Sequence, residues 1–218
     1  MFAFSDLRLA TYCPRKLYYA RQGDREPPAA VAAVRDLAFR YPELLDAGDA
    51  ELRALPLDLS PAEYRQTLRR TRERLDRFED LCDPAERDAL LTGQDCRGIA
   101  QKVLTGPPEP VLVSPGTPPK NGVWEPHSVW AVAAAKALAW EQQEPVARAF
   151  VEYPAVGEIR EVRMTGGRKA AFRRAMRTVE SIEGPPPRLR NSPKCDSCEY
   201  ASECGVKTRS LRSLLGFG

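Results

Sequence analysis

Apolar positions along the chain switch between helical spacing and short unbroken runs, an alternation that predicts a mixed α/β protein. Ser5 reads as an N-cap, and Leu7, Leu9, Ala10 and Tyr12 follow it at rough helical spacing toward Cys13. Pro14 suits the first turn of a second helical stretch, in which Leu17, Tyr18 and Tyr19 can pack inward. Residues 24–30, with Pro27 and Pro28, predict a break, after which Val31, Val34, Leu37 and Ala38 restart a helical pattern. Ser60-Pro61-Ala62-Glu63 combines an N-cap, a proline at the first helical position and a capping-box glutamate, and predicts a charged helix to about Phe78. Asp83-Pro84-Ala85-Glu86 repeats that start signal and predicts a second helix, with Gly93 placed to end it.

From Cys96 the pattern changes. Runs 99–104 and 110–114, separated by Gly106-Pro107-Pro108, predict two strands and a turn. Residues 126–141 predict an alanine-rich buried helix, and 147–153 with 158–164 predict a hairpin joined through Pro154 to Gly157. A further helix is expected over 168–182, basic on one side, before Pro185-Pro186-Pro187 stiffens the approach to a cysteine-rich segment.

The length of 218 residues and an apolar fraction of 43% suit one domain with a sizeable core, expected over 1–218. No stretch reaches the roughly 18 apolar residues of a membrane span, and the start MFAFSDLR lacks a secretion signal, so a cytoplasmic protein is expected. Residues 156–218 hold 13 Lys+Arg against 7 Asp+Glu, which places +6 there and −3 before it. Such a basic portion can attract nucleic acid, and Arg168, Lys169, Arg173, Arg174 and Arg177 on the late helix are the candidate phosphate contacts.

Six cysteines in a reducing compartment point to metal ligation or buried thiols rather than to disulfides. Cys195-x₂-Cys198-x₅-Cys204 supplies three thiols, and Cys13 is the candidate fourth, which would fasten the two ends of the chain together. Four thiolates suit either an iron–sulfur cluster or structural zinc, and spacing does not decide between them. Cys82 and Cys96 read instead as small buried hydrophobes.

Three blocks carry a family resemblance. Tyr12-Cys13-Pro14-Arg15-Lys16-Leu17-Tyr18-Tyr19 resembles the entry motif, and Cys195-x₂-Cys198-x₅-Cys204 the exit motif, of the CRISPR-associated exonucleases with a RecB-like fold, the fourth core Cas family. Residues 149–154, followed by Glu161-Val162-Arg163, resemble the hairpin before that family's last helix. The resemblance implies a [4Fe–4S] cluster on Cys13, Cys195, Cys198 and Cys204, with zinc as the alternative. It also implies a PD-(D/E)XK core, a mixed sheet flanked by helices, with a helical cap built from about 1–25 and 188–218.

The catalytic pattern of the resembled family departs here. Such nucleases hold Mg²⁺ or Mn²⁺ with an aspartate and a glutamate, and use a lysine to orient water or stabilise charge. Alignment puts Gln101 at the aspartate, Leu112 at the glutamate, Ser114 at the lysine and Trp130 at a helix glutamine. A DNA-binding or DNA-processing protein without the usual cleavage is therefore the leading expectation, acting on single strands or ends or docking on other DNA-processing or CRISPR-adaptation proteins. The alternatives are a Mg²⁺- or Mn²⁺-dependent exonuclease with a site moved to Asp95, Lys102, Lys120 and Glu125, and a zinc-stapled interaction module. His127, the only histidine, is expected to cap a helix or face solvent.

Overall fold

The computed structural model describes residues 1–23, 29–189, 193–196 and 198–205. The predicted break at 24–30 lies largely outside those residues, as do Lys207, Arg209 and Arg212 of the basic C-terminal portion. A two-residue strand, Phe2–Ala3 (β1), passes directly into helices Phe4–Tyr12 (α1) and Pro14–Ala20 (α2). Five helices follow: Ala29–Leu37 (α3), Tyr41–Asp46 (α4), Asp49–Arg53 (α5), Pro61–Arg74 (α6) and Phe78–Cys82 (α7). Strands Glu86–Thr92 (β2), Cys96–Leu104 (β3) and Glu109–Val113 (β4) precede the long helix Glu125–Gln142 (α8). Strands Arg148–Tyr153 (β5) and Glu158–Arg163 (β6), helix Gly166–Glu180 (α9) and the short helix Ala201–Cys204 (α10) complete the order.

The strands form one mixed six-stranded sheet in the order β1-β3-β4-β5-β6, with β2 on the other edge of β3. Arg97 pairs with Ala3 on one side and Thr92 on the other, while Lys102 pairs with both Arg87 and Val111. Consequently β1 and β4 share one edge of β3. The β4–β5 pair is parallel and spans α8, whereas β3–β4 and β5–β6 are antiparallel.

Helices cover both faces of the sheet at its centre, which explains why β4 and β5 are buried along almost their whole length while β2 is largely exposed. On one face Leu112, Ala149, Val151 and Tyr153 pack against α1, α8 and α9 through Phe4, Leu7, Val129, Ala133, Ala137 and Phe172. On the other, Val111, Val113, Phe150 and Ile159 pack against Tyr41, Leu44, Tyr64, Leu68 and Phe78. Among the described residues no helix is long and apolar enough to cross a membrane.

Three expectations change. Helix α1 begins at Phe4 after Ala3, not after Ser5, because β1 pairs with β3 and leads the chain straight into the helix. Gly98 makes room for that entry: a Cβ there would meet the Phe4 ring at 2.4 Å. The capping box at Ser60 and Glu63 forms, but α6 ends at Arg74 rather than near Phe78. There the chain turns so that Arg77 can donate to Glu109, 2.9 Å away, and to the Thr105 carbonyl at 2.7 Å.

The segment expected as a second helix is strand β2. A helix-start signal at Asp83–Glu86 is outweighed by six residue pairings with β3, from Glu86↔Val103 to Thr92↔Arg97. Gly93 ends that strand where α8 crosses close behind, since a Cβ would meet the Ala137 Cα at 2.8 Å.

Lys102 and Glu152 form a fully buried ion pair at 2.9 Å. The Lys102 ammonium also donates to the carbonyls of Ala38 and Leu81, each at 2.6 Å, and Tyr41 donates to the second carboxylate oxygen at 3.1 Å. All three lysine N–H groups are thus used. The network ties the helical layer, through residues 38, 41 and 81, to β3 and β5. Burial pushes the Glu152 carboxyl above its ordinary range, opposed by Lys102 and Tyr41. Replacing Lys102 by Met strands a buried carboxylate and is expected to cost about 3–5 kcal/mol in urea denaturation. Lys102→Met combined with Glu152→Leu is expected to recover much of that loss, and no recovery would contradict the account.

Candidate functional site

Cys13 terminates α1 and immediately precedes Pro14, so the chain bends at the cysteine between two helices. At the far end, Pro193–Cys195 forms a 3-10 turn in which the Asp196 amide donates to the Pro193 carbonyl and the Cys198 amide to Cys195. The Cys204 amide then donates to Tyr200, closing the short α10. These two segments meet. Cys13, Cys195, Cys198 and Cys204 line one pocket together with Tyr12, Arg15, Lys16, Arg188 and Lys194.

Side chains fasten the ends to each other around this pocket. Arg15 donates to the Pro186 carbonyl at 2.7 Å, Tyr19 to the Glu203 carbonyl at 3.1 Å, and Lys194 to the Tyr12 carbonyl at 3.1 Å. Tyr19 stacks on Tyr200, and Lys16 pairs with Glu199 at 3.3 Å. The Cys195 thiol is pushed above its ordinary range by burial, then by the Cys13, Cys204 and Cys198 thiols. Cys195 is therefore close enough to the other three thiols to feel their charge.

Among the described residues, no three His, Cys, Asp or Glu side chains are gathered closely enough to grip a single metal ion. Four cysteines lining one pocket form a donor set that an iron–sulfur cluster and a structural zinc ion both accept in residue type and number.

Cys82 and Cys96 are elsewhere. Burial pushes their thiols up to about 11 and about 12, and the Cys96 thiol donates to the Ala133 carbonyl at 3.6 Å. Cys96 is a small core side chain, and Cys82 packs half-buried at the edge of the core.

Gln101, Leu112 and Ser114 come together at the end of β4, all buried. The Gln101 side-chain oxygen accepts from the Val113 amide at 2.9 Å. Ser114 donates its amide to the Glu152 carbonyl at 2.9 Å, and its hydroxyl accepts from Gly116 at 3.3 Å. Leu112 belongs to the apolar core against α8. This corner offers neutral groups already hydrogen-bonded to their own backbone, which are poor partners for a hard divalent cation.

The four residues considered for a displaced site do not converge. Asp95 lies just before the start of β3 and Lys102 near its end, seven residues and about 23 Å of strand apart. Lys102 is engaged with Glu152, Glu125 pairs with Arg174 at 3.4 Å, and Lys120 is exposed in the loop before α8.

Of the helix α9 cations, Lys169, Arg173, Arg174 and Arg177 are exposed on the side opposite buried Phe172, Ala175 and Val179. Arg168 is partly covered and donates to the Arg163 carbonyl at 2.9 Å, closing the start of the helix. Arg168 and Arg174 therefore have intramolecular partners, which sequence spacing does not reveal.

His127 neither caps α8 nor faces solvent freely. Its Nδ1 lies 2.8 Å from the hydroxyl of buried Tyr153. Burial and the nearby Arg8 guanidinium lower the imidazole to about 4, so at neutral pH the neutral ring accepts from the phenol. No family profile and no curated protein matches the chain.

Because the unfolded histidine titrates near 6.5, the unfolded chain binds the extra proton more readily between about pH 6.5 and 4. Stability is therefore expected to fall with falling pH across that window, by up to about 3 kcal/mol from His127. Denaturation curves at pH 7 and 4.5 check this, and His127→Gln is expected to remove that part of the slope. An unchanged slope would contradict the assignment.

Proposed function

We propose that this chain is an iron–sulfur DNA-binding protein related to the RecB-like CRISPR-associated exonucleases, acting in the cytoplasm without the usual metal-dependent cleavage. The observation that carries the reading is the meeting of Cys13 with Cys195, Cys198 and Cys204 at one pocket, from opposite ends of the chain. Those four residues would hold the cluster, whose contribution is a covalent cross-link between the two ends. Four thiolates with the cluster leave a net negative charge, and Arg15, Lys16, Arg188 and Lys194 stand around the pocket to balance it. The mixed sheet between helical layers is compatible with the PD-(D/E)XK architecture the resemblance implies.

DNA binding is supported by the exposed cations of α9, above all Lys169, Arg173 and Arg177, which stand four residues apart and so share one stripe. Absence of cleavage is supported by the residue types at the corner where the resemblance puts metal ligands. Gln101, Leu112 and Ser114 offer no carboxylate there. The two fully covered carboxylates of the sheet, Glu109 and Glu152, are each held by cations, Arg77 with Arg148 and Lys102 respectively.

Anaerobically purified protein should bind single-stranded DNA with salt-dependent affinity and leave it intact in Mn²⁺ or Mg²⁺. Arg173→Glu with Arg177→Glu should weaken binding at least ten-fold at low salt. Mn²⁺-dependent cleavage that is lost in Asp95→Ala or Glu125→Ala would overturn the non-cleaving reading and install a displaced active site.

A further inference from the structure

The segment 128–138 of α8 is buried at every position except Lys136. One turn further along the same face stands Trp140, whose indole is 51% exposed. An open groove runs past these two residues, floored by Val146 and Met164 and faced from α9 by Lys169. Lys136 is steadied by the Phe172 ring, 5.8 Å below its ammonium. Lys136, Lys169, Arg173 and Arg177 take part in no ion pair among the described residues. One carboxylate, Glu144, also borders the groove.

A half-exposed indole beside unpaired cations presents a flat apolar face with positive charge at its rim. The same set suits a ligand with flat apolar faces and a regular negative backbone. The groove also opens onto a longer track. Lys169, Arg173 and Arg177 extend from its rim along α9 for about 12 Å, toward the end of the helix that leads to the cysteine-bearing segment.

We propose that this groove is a stacking site for single-stranded nucleic acid, in which Trp140 takes a base on its exposed face and Lys136 and Lys169 hold the flanking phosphates. The assignment rests on the DNA-binding reading and gives it a location and a strand preference. A duplex keeps its bases stacked on one another, so the indole contributes only to single strands.

The test is fluorescence anisotropy of the full chain with a labelled 20-mer oligothymidylate and with a duplex of equal length, across a salt series. Trp140→Ala is expected to weaken single-strand binding about ten-fold or more while leaving duplex binding unchanged, and Trp140→Phe to restore most of the loss. Lys136→Ala with Lys169→Ala is expected to flatten the salt slope for the single strand by about 1.4, two phosphate contacts' worth. Circular dichroism and the thermal midpoint of each variant separate lost binding from lost fold. If the wild type binds the oligothymidylate and Trp140→Ala binds it equally well, the groove is overturned and the DNA-binding reading stands. A wild type that binds neither probe overturns both.

Discussion

Helix α8 sets the position of nearly everything else. Its buried length is built from small residues, Ala131, Ala133, Ala134, Ala135 and Ala137 among them, so its backbone lies close to β2, β3, β4 and β5 on one side and to α1 and α9 on the other. Close approach is what larger side chains would forbid, and Gly93 gives way at the tightest point. Because α1 packs on α8, Cys13 has a fixed address. Because α9 packs on α8, the chain is aimed back toward that address through the proline spacer, and Arg15 meets it at Pro186.

The two faces of the sheet are held by different means. Alanines, aliphatic side chains and a few aromatics such as Phe4 and Phe172 fill the α8 face, while the opposite face carries charge into its core through Lys102 with Glu152 and Glu109 with Arg77 and Arg148. Buried pairs of this kind add little net stability but penalise any packing that would leave one partner alone. They therefore fix how the helices from α3 to α7 sit on the sheet, since Ala38 and Leu81 must present their carbonyls to one ammonium.

Much of this architecture is legible in the sequence where local chemistry is strong. The runs that become β3, β4, β5 and β6, the buried α8, the capping box of α6 and the proline start of α2 all follow from patterns a few residues long. Strand β2 is misread because a helix-start signal is local, whereas the pairing with β3 that overrules it is tertiary. Short helices such as α4, α5 and α7 span too few turns to show a period. Lys102 and Glu152 stand 50 residues apart, and each alone looks like a surface charge. His127 gives no hint of Tyr153, and Trp140 gives no hint of its exposure. The three C-terminal cysteines announce themselves by spacing, but their partnership with Cys13 comes from a resemblance between blocks.

The central claim is that these four thiols hold an iron–sulfur cluster, and the most direct measurement is iron, acid-labile sulfide and zinc content of anaerobically purified protein. About four irons and four sulfides per chain are expected, with a broad visible absorbance and loss of both elements in Cys13→Ser and Cys198→Ser. One zinc per chain and no sulfide, in protein whose fold survives, would contradict the account and make the cysteine site a zinc staple.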